Sequence, residues 1–226
     1  MRGEMKPSAA LLLLAGGRGR RMGGEGKLLL RSGKAFLIEK ILEETEGLFS
    51  EYLLSCAFGK SAETERLLAP VLRKWRIKVV EDREPERGPL EGLCRGLAAM
   101  SGEWLFAVGC DMPSVRKKVV LAMAQRLQGA DAAVAELNGW LEPLHAFYSE
   151  RCLRPAECAL AEGRLRLKSF YPEIRLAKLP EAELREADAQ YYSSFFNINT
   201  QEEYSRYTQK SPLTESGLFS IRHNIN

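Results

Sequence analysis

Ala9-Ala10-Leu11-Leu12-Leu13-Leu14-Ala15-Gly16-Gly17 is a continuous apolar run closed by two glycines. A short run without polar alternation suits a strand buried on both faces, the mark of a parallel sheet covered by helices. It is too short to span a bilayer, and no secretory cleavage pattern follows it. Immediately downstream, residues 16–26 combine glycines with Arg18, Arg20 and Arg21, and Lys27 follows.

Outward from that strand the periodicity switches repeatedly between extended and helical. Residues 35–47 place Leu37, Ile38, Ile41 and Leu42 on one helical face. A second strand is expected at 52–57, then a helix at 62–75 interrupted or bent near Pro70. A third strand at 77–80 runs into Glu81-Asp82. Leu90, Leu93, Cys94, Leu97 and Ala98 mark the core face of a helix over 89–101. Residues 104–108 form a fourth buried strand, leading into Cys110-Asp111-Met112-Pro113. Val119, Val120, Met123, Ala124 and Leu127 define the next helix, followed by strands at 131–136 and 143–148 and a helix near 149–162. This order predicts an α/β fold: a mostly parallel sheet with helices on both faces and a small antiparallel part. Residues 1–208 suit one domain, with 209–226 as a loosely held tail.

Composition excludes several functions. A net charge of +3, with both signs alternating along 226 residues, gives no nucleic-acid footprint. Five cysteines without a CxxC pair or a histidine at metal spacing point to reduced core thiols in a cytoplasmic protein, not to zinc. Two histidines leave little room for a histidine-based triad.

In open α/β sheets ligands bind beyond the carboxyl ends of the strands. Gly16-Gly17, Ser55, Asp82 and Asp111 all stand at such ends, which argues for one shared site. The loop after the first strand is not a Walker A motif, since Leu28 replaces the Ser or Thr and Arg21 the first glycine. GxGxxG fails too, with Met22 at the last glycine. Glycines alone would suit a solvated surface loop; glycines and four cations after a buried strand favour a triphosphate cradle. Asp111, closing a buried strand, needs a cation or hydrogen-bond donors. Mg²⁺ answers that need with one or two protein carboxylates plus phosphate oxygens and water; the structural alternative is a helix N-cap. Gly88-Pro89-Leu90-Glu91-Gly92 opens a helix whose backbone is suited to reading a base edge, or is a plain helix start with proline in its first turn. Asp82 suits a ribose or base, or simply begins a polar loop. Asn197 and Asn199 alternate, so they share one face of a short strand; Asn199 or Thr200 also suits capping of the next helix. His145 suits a satisfied core or rim position and is left without a role.

The ordered set Leu14-Ala15-Gly16-Gly17, Arg21-Met22-Gly23 with Lys27, Gly88–Gly92, Cys110–Pro113, Glu142-Pro143-Leu144 and Phe195–Thr200 resembles the molybdenum cofactor guanylyltransferase family, MobA type. The resemblance covers about residues 10 to 205. It implies a Rossmann-like nucleotidyltransferase fold and transfer of GMP from GTP to the terminal phosphate of molybdopterin or its molybdenum form, with Mg²⁺ and release of pyrophosphate. It places Leu14, Ala15, Gly16 and Gly17 on GTP, Arg21 and Lys27 on its phosphates, Asp82 by the nucleoside, and Gly88, Pro89, Leu90 and Gly92 around the base. Asp111 would hold the metal, and Asn197 and Asn199 the acceptor. Proteins that deliver and receive the cofactor are further implied partners. Ser55 stands near a family asparagine, Gly26 where an aspartate is common, and the tail runs past the usual end. A cytidylyltransferase or sugar-phosphate nucleotidylyltransferase would keep the loop and Asp111, but not Gly88–Gly92 with the paired asparagines. A silent nucleotide-binding protein would be expected to lack Lys27 or Asp111.

Overall fold

The computed structural model describes residues 9–15 and 27–208. Gly16, Gly17, Arg18, Arg20, Arg21 and the 209–226 segment therefore lie outside the described residues. β1 (Ala9–Leu14) has all six residues buried, as its unbroken apolar run predicts. A short 3-10 helix, Lys27–Leu29, leads to a hairpin of β2 (Arg31–Ser32) and β3 (Ala35–Phe36), then to α1 (Leu37–Glu44). That helix buries Leu37, Ile38, Ile41 and Leu42, the expected face. β4 (Glu51–Cys56), α2 (Ser61–Trp75), β5 (Lys78–Glu81), α3 (Gly88–Ala99), β6 (Trp104–Gly109) and α4 (Lys117–Ala124) continue the alternation. α2 runs through Pro70 as one helix, so the expected interruption is absent; Leu68 and Val71 are buried on either side of the proline.

β7 (Ala132–Leu137) and β8 (Trp140–Ser149) are joined by Asn138-Gly139, both at positive φ (49° and 76°), as a tight two-residue hairpin requires. α5 (Leu153–Ala161), β9 (Leu176–Pro180), α6 (Glu181–Ala187) and α7 (Gln201–Thr208) complete the described chain. The sheet runs β5-β4-β1-β6-β8-β7-β9. The four strands from β5 to β6 are parallel, and β8 is antiparallel to both its neighbours. Among the described residues no helix is long and apolar enough to cross a membrane. All five cysteines are free; four are buried, and Cys158 is exposed, unlike the core thiols expected.

Two features depart from the sequence expectation in an informative way. β8 carries extra residues opposite β7, where the register jumps from Ala133–Phe147 to Ala135–Glu142. In that irregularity His145 adopts φ 68°, fully buried between the rings of Phe106 and Phe195, each at 4.9 Å. Neither ring nitrogen has a hydrogen-bond partner, so this core histidine is not a satisfied one. Burial pushes its pKa down to about 3.

The second is the seat of α3. Ala98, expected on its core face, is exposed. The face that meets the sheet instead contains Gly92 and Gly96, one turn apart and both buried. A Cβ on Gly96 would lie 2.5 Å from Leu12 Cδ2, and one on Gly92 2.6 Å from Ser55 Oγ and 2.7 Å from Leu14 Cδ2. The missing side chains let the helix backbone lie directly on β1 and β4. Gly96→Ala should therefore destabilise the protein by about 1–3 kcal/mol through overpacking, even though alanine is the better helix former by about 1 kcal/mol. Urea unfolding checks this: the loss should vanish in a Leu12→Ala background, and an equal loss in both backgrounds would refute the contact.

Candidate functional site

The register of the central strands aligns their ends. Leu14 lies opposite Ser55 on one side and Gly109 on the other, and Cys56 lies opposite Glu81. The Cys110 N–H donates to Leu14 O (3.1 Å), and the Asp82 N–H donates to Cys56 O (3.0 Å). Asp82 and Asp111 thus leave the sheet at the same edge. α3 runs antiparallel to the strands, with Gly96 over Leu12 and Gly92 over Leu14 and Ser55. The turn before Gly92 therefore overhangs that edge. Gly88, at φ 71°, begins it, with Pro89 next and no side chain capping the helix. Its amide groups and the positive end of the helix dipole face the edge. Ser55 is buried, its hydroxyl against Gly92.

Asp111 is half-buried, in a turn where the Met112 N–H donates to Gly109 O at 3.0 Å. A Cβ on Gly109 would collide with Asp111 Oδ1, so the glycine provides the space its carboxylate occupies. Gly109 has no sequence signature of its own, since its role depends on the turn that follows it. The Asp111 carbonyl accepts the Ile198 N–H at 2.8 Å, which brings the asparagine segment to the same edge. Residues 196–200, expected as a short strand, form irregular chain outside the sheet. The alternation persists nonetheless: Phe196 and Ile198 are buried, Asn197 and Asn199 half-buried. Asn197 Oδ1 is buried without a partner. The helix cap is Thr200: its Oγ1 accepts the Glu203 N–H (3.1 Å), and Glu203 Oε2 accepts the Thr200 N–H (2.9 Å). Phe196 and Ile198 pack with Leu30 and Leu37 in a small second cluster, fastening the asparagine segment to the stretch that begins at Lys27.

Asp82 sits in an acidic corner. Its Oδ1 is buried without a hydrogen bond. Glu91, on the first turn of α3, is buried and accepts the Arg83 N–H at 3.1 Å, which holds the loop after Asp82 against the helix. Arg95 Nε donates to Glu81 O at 3.0 Å. Burial first, and then the charge of Glu91, push the Asp82 carboxyl up to about 7, with Arg95 opposing and Glu81 adding. The role of Glu91 is not readable from the Gly88–Gly92 motif, because it depends on the fold of the 82–87 loop.

A family model, the MobA-like NTP transferase domain, matches residues 11–176. The probable molybdenum cofactor guanylyltransferase of Pelotomaculum thermopropionicum is 33% identical over 189 residues, 84% of this chain and 86% of that protein. The one from Methanosarcina mazei is 34% identical over 197 residues, 85% of this chain and 86% of that protein. Among solved structures, molybdopterin-guanine dinucleotide biosynthesis protein A from Archaeoglobus fulgidus superposes with a TM-score of 0.73 at 25% identity, covering 88% of this chain and 97% of that one.

The acidic corner gives a testable titration. Carboxyl NMR should place the Asp82 midpoint near 7, where an ordinary aspartate titrates near 4. Since the folded carboxyl holds its proton more tightly than the unfolded one, the stability it contributes is full below about pH 4 and is lost as pH rises towards 7. Glu91→Gln removes the like charge, so it should move the midpoint down and narrow that window; an unmoved midpoint would show that Glu91 has no hold on Asp82.

Proposed function

The chain belongs to the MobA-like NTP transferases, and on that premise we propose that it transfers GMP from GTP to the terminal phosphate of molybdopterin, releasing pyrophosphate. The observation that carries this reading is the juxtaposition at one sheet edge of Asp111 in its glycine-made space, the uncapped first turn of α3 and the Asn197 segment. Leu14, Ala15, Gly16 and Gly17 approach the nucleotide, with Arg21 and Lys27 on the triphosphate. Asp82 takes the nucleoside and the backbone of Gly88, Pro89, Leu90 and Gly92 the base, with Ser55 on the nucleotide beside them; Ser55 and Gly92 also seat α3. Asn197 and Asn199 face the acceptor; with Thr200 capping α7, neither amide is needed for that task.

A hard carboxylate in the turn that closes β6 suits Mg²⁺. Asp111 would thus hold the ion together with phosphate oxygens and water, the usual Mg²⁺ arrangement. Bound there, Mg²⁺ would supply charge neutralisation on the triphosphate. An oxygen of the acceptor phosphate forms a bond to the GTP α-phosphorus as the α–β bridging bond breaks and pyrophosphate departs. A phosphomonoester has its second pKa at ~6, so the attacking oxygen is anionic near neutral pH without a general base. His145, sealed in the core, is not required for one. The protein's own task is alignment of two anions and relief of their repulsion, by Lys27 and Arg21. The substrates are water-soluble, in keeping with a cytoplasmic enzyme.

GTP should outcompete CTP, ATP and UTP in Mg²⁺-containing binding assays; equal affinity for CTP would move the reading to a cytidylyltransferase. Asp111→Asn and Lys27→Ala should each slow transfer by roughly a hundredfold with the melting temperature preserved. Wild-type turnover in Asp111→Asn would reduce Asp111 to a structural turn residue.

A further inference from the structure

Trp140 is 66% exposed, whereas Trp104 is 7% exposed and packed in the core. A large ring left in water contributes little to folding, and the Asn138-Gly139 turn beside it needs no aromatic neighbour. Its position is specific. Trp140 is the first residue of β8, and β8 is antiparallel to β6, so this strand begins at the edge where β6 releases Asp111. Further along β8, Leu144 Cδ1 lies 3.5 Å from the point where a Cβ on Gly109 would stand, beside the Asp111 carboxylate. Four residue steps along β8 lead from Leu144 to Trp140, at most about 13 Å at ~3.3 Å per step.

A second wall reaches the same place from the nucleotide side. The Leu165 carbonyl lies 3.5 Å from the corresponding point on Gly88, at the start of α3. Lys168, three residues on, puts its ammonium 5.9 Å from the Trp140 ring centroid. The 165–168 segment thus runs from the proposed base pocket to the indole and ends on a cation.

Resting on the guanylyl-transfer reading above, we propose that Trp140 is the platform on which the flat pterin end of the acceptor stacks, with Lys168 as its cationic companion. The acceptor carries its reacting phosphate at one end and a pterin at the other, whose conjugated pyrimidine part offers a flat face. With the phosphate at Asp111, the pterin must lie some distance along the edge, and Trp140 is the exposed aromatic face in that direction. Stacking of this kind is tolerant of substituents and strong in water. Lys168 sits over one part of the indole and adds positive charge beside an anionic ligand.

The test is steady-state transfer at saturating Mg-GTP with molybdopterin varied. Trp140→Ala should raise the acceptor KM roughly tenfold while the GTP Kd holds, and Trp140→Phe should recover most of the loss. Molybdopterin should also quench tryptophan fluorescence in the wild type and do so far less in Trp140→Phe. An acceptor KM in Trp140→Ala equal to that of the wild type overturns the proposal and leaves guanylyl transfer standing, including where that variant changes oligomeric state instead. Absence of any transfer by the wild-type protein overturns the parent reading and this one with it.

Discussion

Everything at the site depends on a strand that offers no chemistry along its length. β1 is buried at all six residues and hydrogen-bonded in parallel on both sides. A side chain able to ionise anywhere within it would be stranded in the core. Polar function is thereby confined to the strand ends, and the register decides which residues meet there. Leu14 O accepts the Cys110 N–H, so the exit of β1 fixes the exit of β6 and hence the direction in which Asp111 leaves the sheet.

Glycine does the positioning that side chains cannot. Gly92 and Gly96 let α3 lie close on the sheet, so its first turn overhangs the strand ends at a fixed height. Gly109 opens the space for a carboxylate. On the far side, a small cluster of Leu30, Leu37, Phe196 and Ile198 joins two stretches distant in sequence, one starting at Lys27 and the other carrying Asn197 and Asn199. In the proposed mechanism that contact, with the Tyr204 hydroxyl on the Arg31 backbone, relates the donor's phosphates to the acceptor and sets their separation.

The parts legible in the sequence were those with a strong local period or an abrupt end. The face of α1 follows from Leu37, Ile38, Ile41 and Leu42, and Asp111 and Asp82 announce themselves by closing apolar strands. β9 and α6 left no such mark: β9 is only partly buried and α6 buries just Leu184. Residues 196–200 imitate a strand because alternating burial needs only a chain lying along an apolar surface, and here that surface is the second cluster. Asp111 held by Ile198, Glu91 holding Arg83 and Gly96 meeting Leu12 are all contacts across the fold, invisible until the register is known. Nothing in the local sequence distinguishes the exposed Trp140 from a core aromatic such as Trp104.

The placement of β1 also governs how the protein must be made. The strand is synthesised before both of its partners, residues 51–55 on one edge and 104–109 on the other. Closing such long loops before any reward is gained makes parallel pairing slow. Until β6 has left the ribosome, a leucine-rich strand presents one open edge, the template on which chains aggregate. The arrangement that hides β1 most completely in the finished enzyme therefore exposes it longest during synthesis, and the yield of active protein depends on how well that interval is guarded.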